Sequence, residues 1–80
     1  MAGSRRHTRR TADSAVLRDA VRRVTVGALV YAAPASVAEP IVGAVVDIDG
    51  VLLALDTDDN GVVWVHGADC PDLTRAAARN

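Results

Sequence analysis

Apolar positions recur along this chain with a spacing that changes once. Over residues 11–23, Ala15, Val16, Ala20 and Val21, continued by Val24, fall on one stripe of a helix, with Leu17 at its edge. Thr11 or Asp13 supplies the N-cap, and Asp13 also suits the positive end of the helix dipole. Arg18, Arg22 and Arg23 occupy the opposite side and the last turn, where cations are favoured. A helix this short needs a surface to pack against.

From Val24 the pattern becomes that of strands. Val24–Ala32 is rich in β-branched and apolar residues and predicts a first strand. Residues 33–40, with Pro34 and Pro40, predict a loop. Ile41–Ile48, Val51–Asp56 and Val62–His66 predict three further strands. Tight turns at Asp49-Gly50 and over Thr57–Gly61 join them. Gly67–Pro71 breaks the sheet, and residues 72–79 predict a short helical turn capped by Asp72. The expected organisation is a basic arm and helix over residues 1–23, then a small β domain over residues 24–80.

The run VGAVVDIDGVLLALDTDDNGVVWVH has a Gly-x-Val strand, an acidic-Gly turn, an apolar strand, a second turn and a Trp-containing strand. It resembles the central meander of SH3-like small β-barrels, and the resemblance covers about residues 24–70. What it implies is a mainly β fold: a small SH3-like barrel or a meander of four to five strands. The basic helix precedes it and the helical turn comes after. Peptide-binding SH3 domains use an aromatic groove, whereas this chain offers only Tyr31 and Trp64, so proline-rich ligands do not carry over. The fold analogy implies no function by itself.

Composition narrows the classes. Half of the 80 residues are apolar, but only two are aromatic, so aliphatic side chains must fill the core. A chain of this size buries only about 60–65% of its unfolded surface, which leaves little room for a deep pocket or a large cofactor. The single cysteine, Cys70, excludes an internal disulfide. All nine basic residues are arginine, which reads as the codon usage of a GC-rich genome.

The net charge of −1 hides a strong segregation. Residues 1–23 carry seven arginines against Asp13 and Asp19, a formal +5. Residues 24–72 carry eight carboxylates and no Arg or Lys. The basic segment either folds back on its own acidic body or reaches a separate acidic partner, such as a neighbouring subunit or nucleic acid. Arg5, Arg6, Arg9 and Arg10 are the candidate electrostatic contacts, with Arg18, Arg22 and Arg23 in support. Clustered arginine suits phosphate. The acidic body opposes it, and no aromatic residue lies beside the arginines to stack on bases.

Asp56-Thr57-Asp58-Asp59-Asn60-Gly61 matches the front half of a calcium loop. Asp56, Asp58 and Asn60 are the candidate ligands, but Gly67 stands where the loop needs its bidentate glutamate. The competing reading is an Asn-Gly hairpin turn made soluble by aspartates. Beyond that weak calcium candidate, no cofactor is expected. His66 and Cys70 lack the further ligands or the base that a metal or a thiol nucleophile needs. No Ser-His-Asp pattern, phosphate loop or dinucleotide fingerprint occurs. An enzyme is not expected.

Arg22-Arg23, the apolar run after them and Ser36-Val37-Ala38 have the outline of a secretory signal. Asp13 and Asp19 sit in its would-be basic region, and the product would be too small to fold readily. Pro34, Glu39 and Pro40 interrupt the run before a membrane span. The expected location is cytoplasmic or virion-associated, without membrane insertion.

The predicted strands are apolar on both faces, which a small barrel with one inside does not need. Leu29, Tyr31, Leu52 and Trp64 are the candidate apolar contacts, with Trp64 equally placed for the core. These features lead to the expectation of a non-enzymatic assembly module, homo- or hetero-oligomeric. A phage virion component, such as a head–tail connection or capsid accessory protein, would have this build. A nucleic-acid-associated protein acting through its arm and a calcium-stabilised domain are the alternatives.

Overall fold

A computed structural model of the chain describes residues 15–78. Helix α1 covers residues 15–22. Strands β1 (Leu29–Ala32), β2 (Ile41–Asp49), β3 (Leu52–Thr57) and β4 (Gly61–His66) come next, then a 3-10 turn at Gly67–Asp69 and helix α2 (Pro71–Ala78). The strands form one antiparallel sheet in the order β1-β2-β3-β4. The mainly β meander expected from the sequence is therefore present.

The barrel is not. After β4 the chain enters the 3-10 turn and α2 instead of a fifth strand, so the sheet stays open. The Ala33 N–H donates to the Asp69 carbonyl at 2.8 Å and ties the end of β1 to the segment after β4. One such bond does not make a ladder.

The first strand is also shorter than Val24–Ala32. The Ala28 N–H closes a turn on the Thr25 carbonyl at 3.0 Å, and Gly27 within it has φ +98°. A β-branched residue would be strained there. This turn lets the chain leave α1, which lies over one face of the sheet, and enter the edge beside β2. Gly27 and Ala28 still exchange hydrogen bonds with Val45, at 2.8 and 2.9 Å.

The β2–β3 hairpin pairs Asp49 with Leu52 across the two-residue loop Gly50-Val51. Gly50 has φ +63°, and no non-glycine residue among those described has positive φ. A positive φ at the first loop position alone is what a type II′ turn requires.

The core lies on one face of the sheet. Val45, Leu53 and Leu55 are fully buried, and Val65 nearly so. Leu17 and Val21 of α1 and Cys70 and Leu73 at the start of α2 complete the cluster. Each such aliphatic side chain stabilises the fold by about 1.5–3 kcal/mol through its burial. The buried stripe of α1 runs through Leu17, Ala20 and Val21 to half-buried Val24, while Ala15 is exposed. This is a rotation of about one residue from the expected stripe, because the larger Leu17 takes the core position. Thr11 and Asp13 lie outside the described residues.

Gly67 marks where α1 touches the sheet. A Cβ there would lie 2.8 Å from Val21 Cγ2, 3.2 Å from the Val51 carbonyl oxygen and 3.4 Å from Leu17 Cδ1. Helix α2 begins at Pro71, and the Thr74 N–H donates to the Cys70 carbonyl at 3.0 Å. Cys70 thus holds the cap position expected of Asp72. Asp72 sits in the first turn instead, where its charge suits the helix dipole.

Candidate interaction surface

The face of the sheet opposite the core has no cover among the described residues. Strand periodicity alternates side chains between the two faces, so burial of Leu53, Leu55 and Val65 puts Leu52, Ala54 and Trp64 outside. Register places Ala54 directly opposite Trp64 and Leu52 opposite His66. On the other side, Leu29 faces Ala44 and Tyr31 faces Val42. Leu29 is 77% exposed, Val62 56% and Trp64 49%. Tyr31, Val42, Val46 and Leu52 are exposed as well. Ala54, by contrast, is 1% exposed, a small floor among larger neighbours.

The four apolar contacts expected from the sequence, Leu29, Tyr31, Leu52 and Trp64, therefore share this face, and Trp64 is not in the core. Val42, Val46 and Val62 join them. Val62 has the parity of Trp64 and was legible on that ground. Val46 was not. The register slips between Val45 and Asp47, so Val46 and Asp47 both lie exposed against the single residue Ala54. A bulge of this kind turns two successive side chains toward solvent.

Carboxylates are spaced through this apolar surface. Asp49 pairs in register with Leu52, Asp47 with Ala54, and Asp56 lies between Ala44 and Val62. All three are exposed. The Asp47 carboxylate accepts from the Ile48 N–H at 2.8 Å, which holds the bulge. No Arg or Lys occurs anywhere from residue 24 to residue 72. The face is thus apolar and anionic together.

At one end it runs into a shallow depression of about 440 Å³ between the 37–42 segment and the β3–β4 turn. Glu39, Asp58 and Asp59 line it beside Val42. The turn is closed by Thr57, whose hydroxyl donates to the Gly61 carbonyl at 2.7 Å and accepts from the Asn60 N–H at 3.0 Å. Among the described residues, no group of three or more His, Cys, Asp or Glu side chains is arranged to hold a metal ion. Asp56 lies near the end of β3, and Asp58 and Asn60 lie in the β3–β4 turn.

The described arginines lie on or beside the helices. On α1, Asp19 receives Arg22 at 3.1 Å and Arg23 at 3.0 Å. These exposed i,i+3 and i,i+4 pairs contribute a few tenths of a kcal/mol each. Arg18 is exposed on the same helix. Arg5, Arg6, Arg9 and Arg10 lie outside the described residues.

Cys70 and His66 do not form a reactive pair. The His66 Nδ1 accepts from the Ala68 N–H at 2.9 Å and caps the 3-10 turn. The Cys70 thiol is buried and donates to the His66 carbonyl at 3.6 Å. Burial pushes this thiol up to about 11, and the Asp69 and Asp72 carboxylates add to the effect. At neutral pH it is a thiol, with negligible thiolate.

A second, open groove of about 480 Å³ runs between α1 and α2. It is lined by aliphatic side chains and Thr74, whose hydroxyl donates to the Pro71 carbonyl at 2.9 Å. Among the described residues, no titratable side chain lines it. No described helix is long and apolar enough to cross a membrane. No protein-family model, curated protein or solved structure matches the chain.

Proposed function

We propose that this protein is a non-enzymatic assembly module that docks other protein subunits on the open face of its sheet. The observation that carries the reading is that face itself. Seven large apolar side chains stand exposed there, and the helices occupy only the opposite side. A cluster of large exposed apolar side chains of this kind on a small domain marks an interaction site. Trp64 and Tyr31, both on it, belong to the residue types that anchor interfaces.

Support also comes from the chemistry around it. The buried thiol is held protonated, and among the described residues no acid–base pair lines the helix–helix groove. An acidic body repels phosphate, which disfavours nucleic acid as the ligand of the sheet. A virion structural component remains the setting that size, arm and apolar face suit best.

Trp64 is the only tryptophan and reports on the face directly. Its emission is measured in the full chain over a wide concentration range, at high salt. The expected result is a concentration-dependent blue shift as a subunit covers the ring. Emission of a solvated indole at every concentration contradicts docking between copies on this face.

A further inference from the structure

The geometry points to an occupant for the anionic part of that face: the arginine-rich segment 1–14 of a second copy of this chain. This inference rests on the assembly reading above and names the partner.

Charge complementarity is the first argument. The face and its end carry Asp47, Asp49, Asp56, Asp58 and Asp59 without a single cation on residues 24–72. Outside the described residues, the segment 1–14 carries Arg5, Arg6, Arg9 and Arg10 against one aspartate. Two bare copies of the face would repel one another. An arm from each copy, laid on the face of the next, removes that repulsion.

Spacing is the second argument. On the sheet, Asp56 lies four residues along β3 from Leu52, which pairs with Asp49. At a rise of about 3.3 Å per residue and a strand separation of about 4.8 Å, Asp49 and Asp56 stand about 14 Å apart. Arg5 and Arg9, or Arg6 and Arg10, laid out as a strand, are about 13 Å apart and point to one side.

Side-chain chemistry is the third. Arginine is weakly hydrated, pairs with carboxylates through a planar fork and stacks on aromatic rings. Its methylene stem covers apolar surface while the head stays at the charge. An apolar face with interspersed carboxylates and two aromatic rings suits it better than it suits lysine.

Reach favours a neighbour over self-docking. Helix α1 packs on the core face, through Leu17 and Val21. Only four residues lie between Arg10 and residue 15, a span of about 17 Å when extended. Within its own chain the arm would have to round the sheet edge before Arg9 and Arg10 could engage. A neighbouring face imposes no such path. The contact runs from arm to face, so it closes as a reciprocal pair of copies or propagates into a ring or a filament.

Two full-length variants test this. One reverses the arm (Arg5, Arg6, Arg9 and Arg10 each →Glu); the other reverses the face (Asp49→Arg and Asp56→Arg). Circular dichroism confirms that each folds; Asp49 and Asp56 lie outside the core. Mass is read by light scattering at about 50 mM and about 500 mM salt, where screening differs strongly. Wild-type association is expected to be at least tenfold tighter at low salt than at high salt, where the apolar contact alone remains. Each variant alone is expected to lose that low-salt gain. An equimolar mixture is expected to regain it, because each arm then meets a face of opposite sign. Failure of the mixture to regain it overturns the proposal. So does a wild type that is monomeric at low salt but loses melting temperature on arm reversal, which shows the arm on its own body. An assembly unaffected by either reversal at both salts overturns the arm contact while leaving apolar docking on the face intact.

Discussion

Gly67→Ala tests how the helix is seated on the sheet. The added Cβ would lie 2.8 Å from Val21 Cγ2, against about 3.5–4.0 Å for an ordinary carbon contact. Val51 backbone at 3.2 Å blocks escape on one side, and Leu17 Cδ1 at 3.4 Å crowds the other. Helix α1 must therefore move by about 1 Å, and overpacking of this sort costs about 1–3 kcal/mol. For a domain of this length, each kcal/mol lowers the melting temperature by about 4–8 °C. The expected fall is thus about 4–24 °C, read by thermal circular dichroism at fixed protein concentration. Val21→Ala alone leaves a cavity and costs about 2 kcal/mol. Combined, the two changes relieve each other, and the double variant should lose at least 1 kcal/mol less than the sum. An unchanged melting temperature for Gly67→Ala, or strict additivity in the double variant, refutes the direct seat of α1 on Gly67.

The same geometry makes three further predictions. Cys70 should resist thiol reagents in the native protein and react on denaturation; native labelling at the rate of a free thiol contradicts its burial. Its raised folded value means that the folded state holds this proton more tightly than the unfolded state. That contribution is intact below about 9 and is lost as pH rises toward 11. Denaturant midpoints should therefore fall over this interval, and fall less in Cys70→Ala. Thr57→Val removes both bonds that close the β3–β4 turn and should cost about 1–2 kcal/mol by denaturant titration. Calcium should leave the melting temperature of the wild type and of Asp58→Ala unmoved; a rise in the wild type alone would support calcium binding at the β3–β4 turn.

Most of the architecture was legible because strand period and turn chemistry agree in this chain. Asp49-Gly50 and Asn60-Gly61 punctuate three apolar runs, and the hairpins form at those places. The open sheet was not legible. Whether a four-stranded meander closes depends on the segment after β4, and Gly67–Pro71 gives no local sign that α2 replaces a closing strand. The shortened first strand turned on Gly27, a lone glycine inside a β-branched run. Similarly, the bulge at Val45–Asp47 arises from pairing between strands, which local periodicity does not encode. On the candidate surface, the excess of apolar residues was visible in sequence, as was the absence of cations from residues 24–72. That Leu29, Tyr31, Leu52 and Trp64 share one face, with Asp47, Asp49 and Asp56 among them, needed the register.

Assembly through the open sheet face is read from the mass of Leu29→Ser/Val62→Thr/Trp64→Ser beside the wild type, by light scattering after gel filtration at high salt. These positions are exposed, so the variant should keep its fold. The expected result is a defined wild-type oligomer that persists at high salt, and a variant at the mass of one 8.3 kDa chain. A wild type and a variant of identical mass would contradict it.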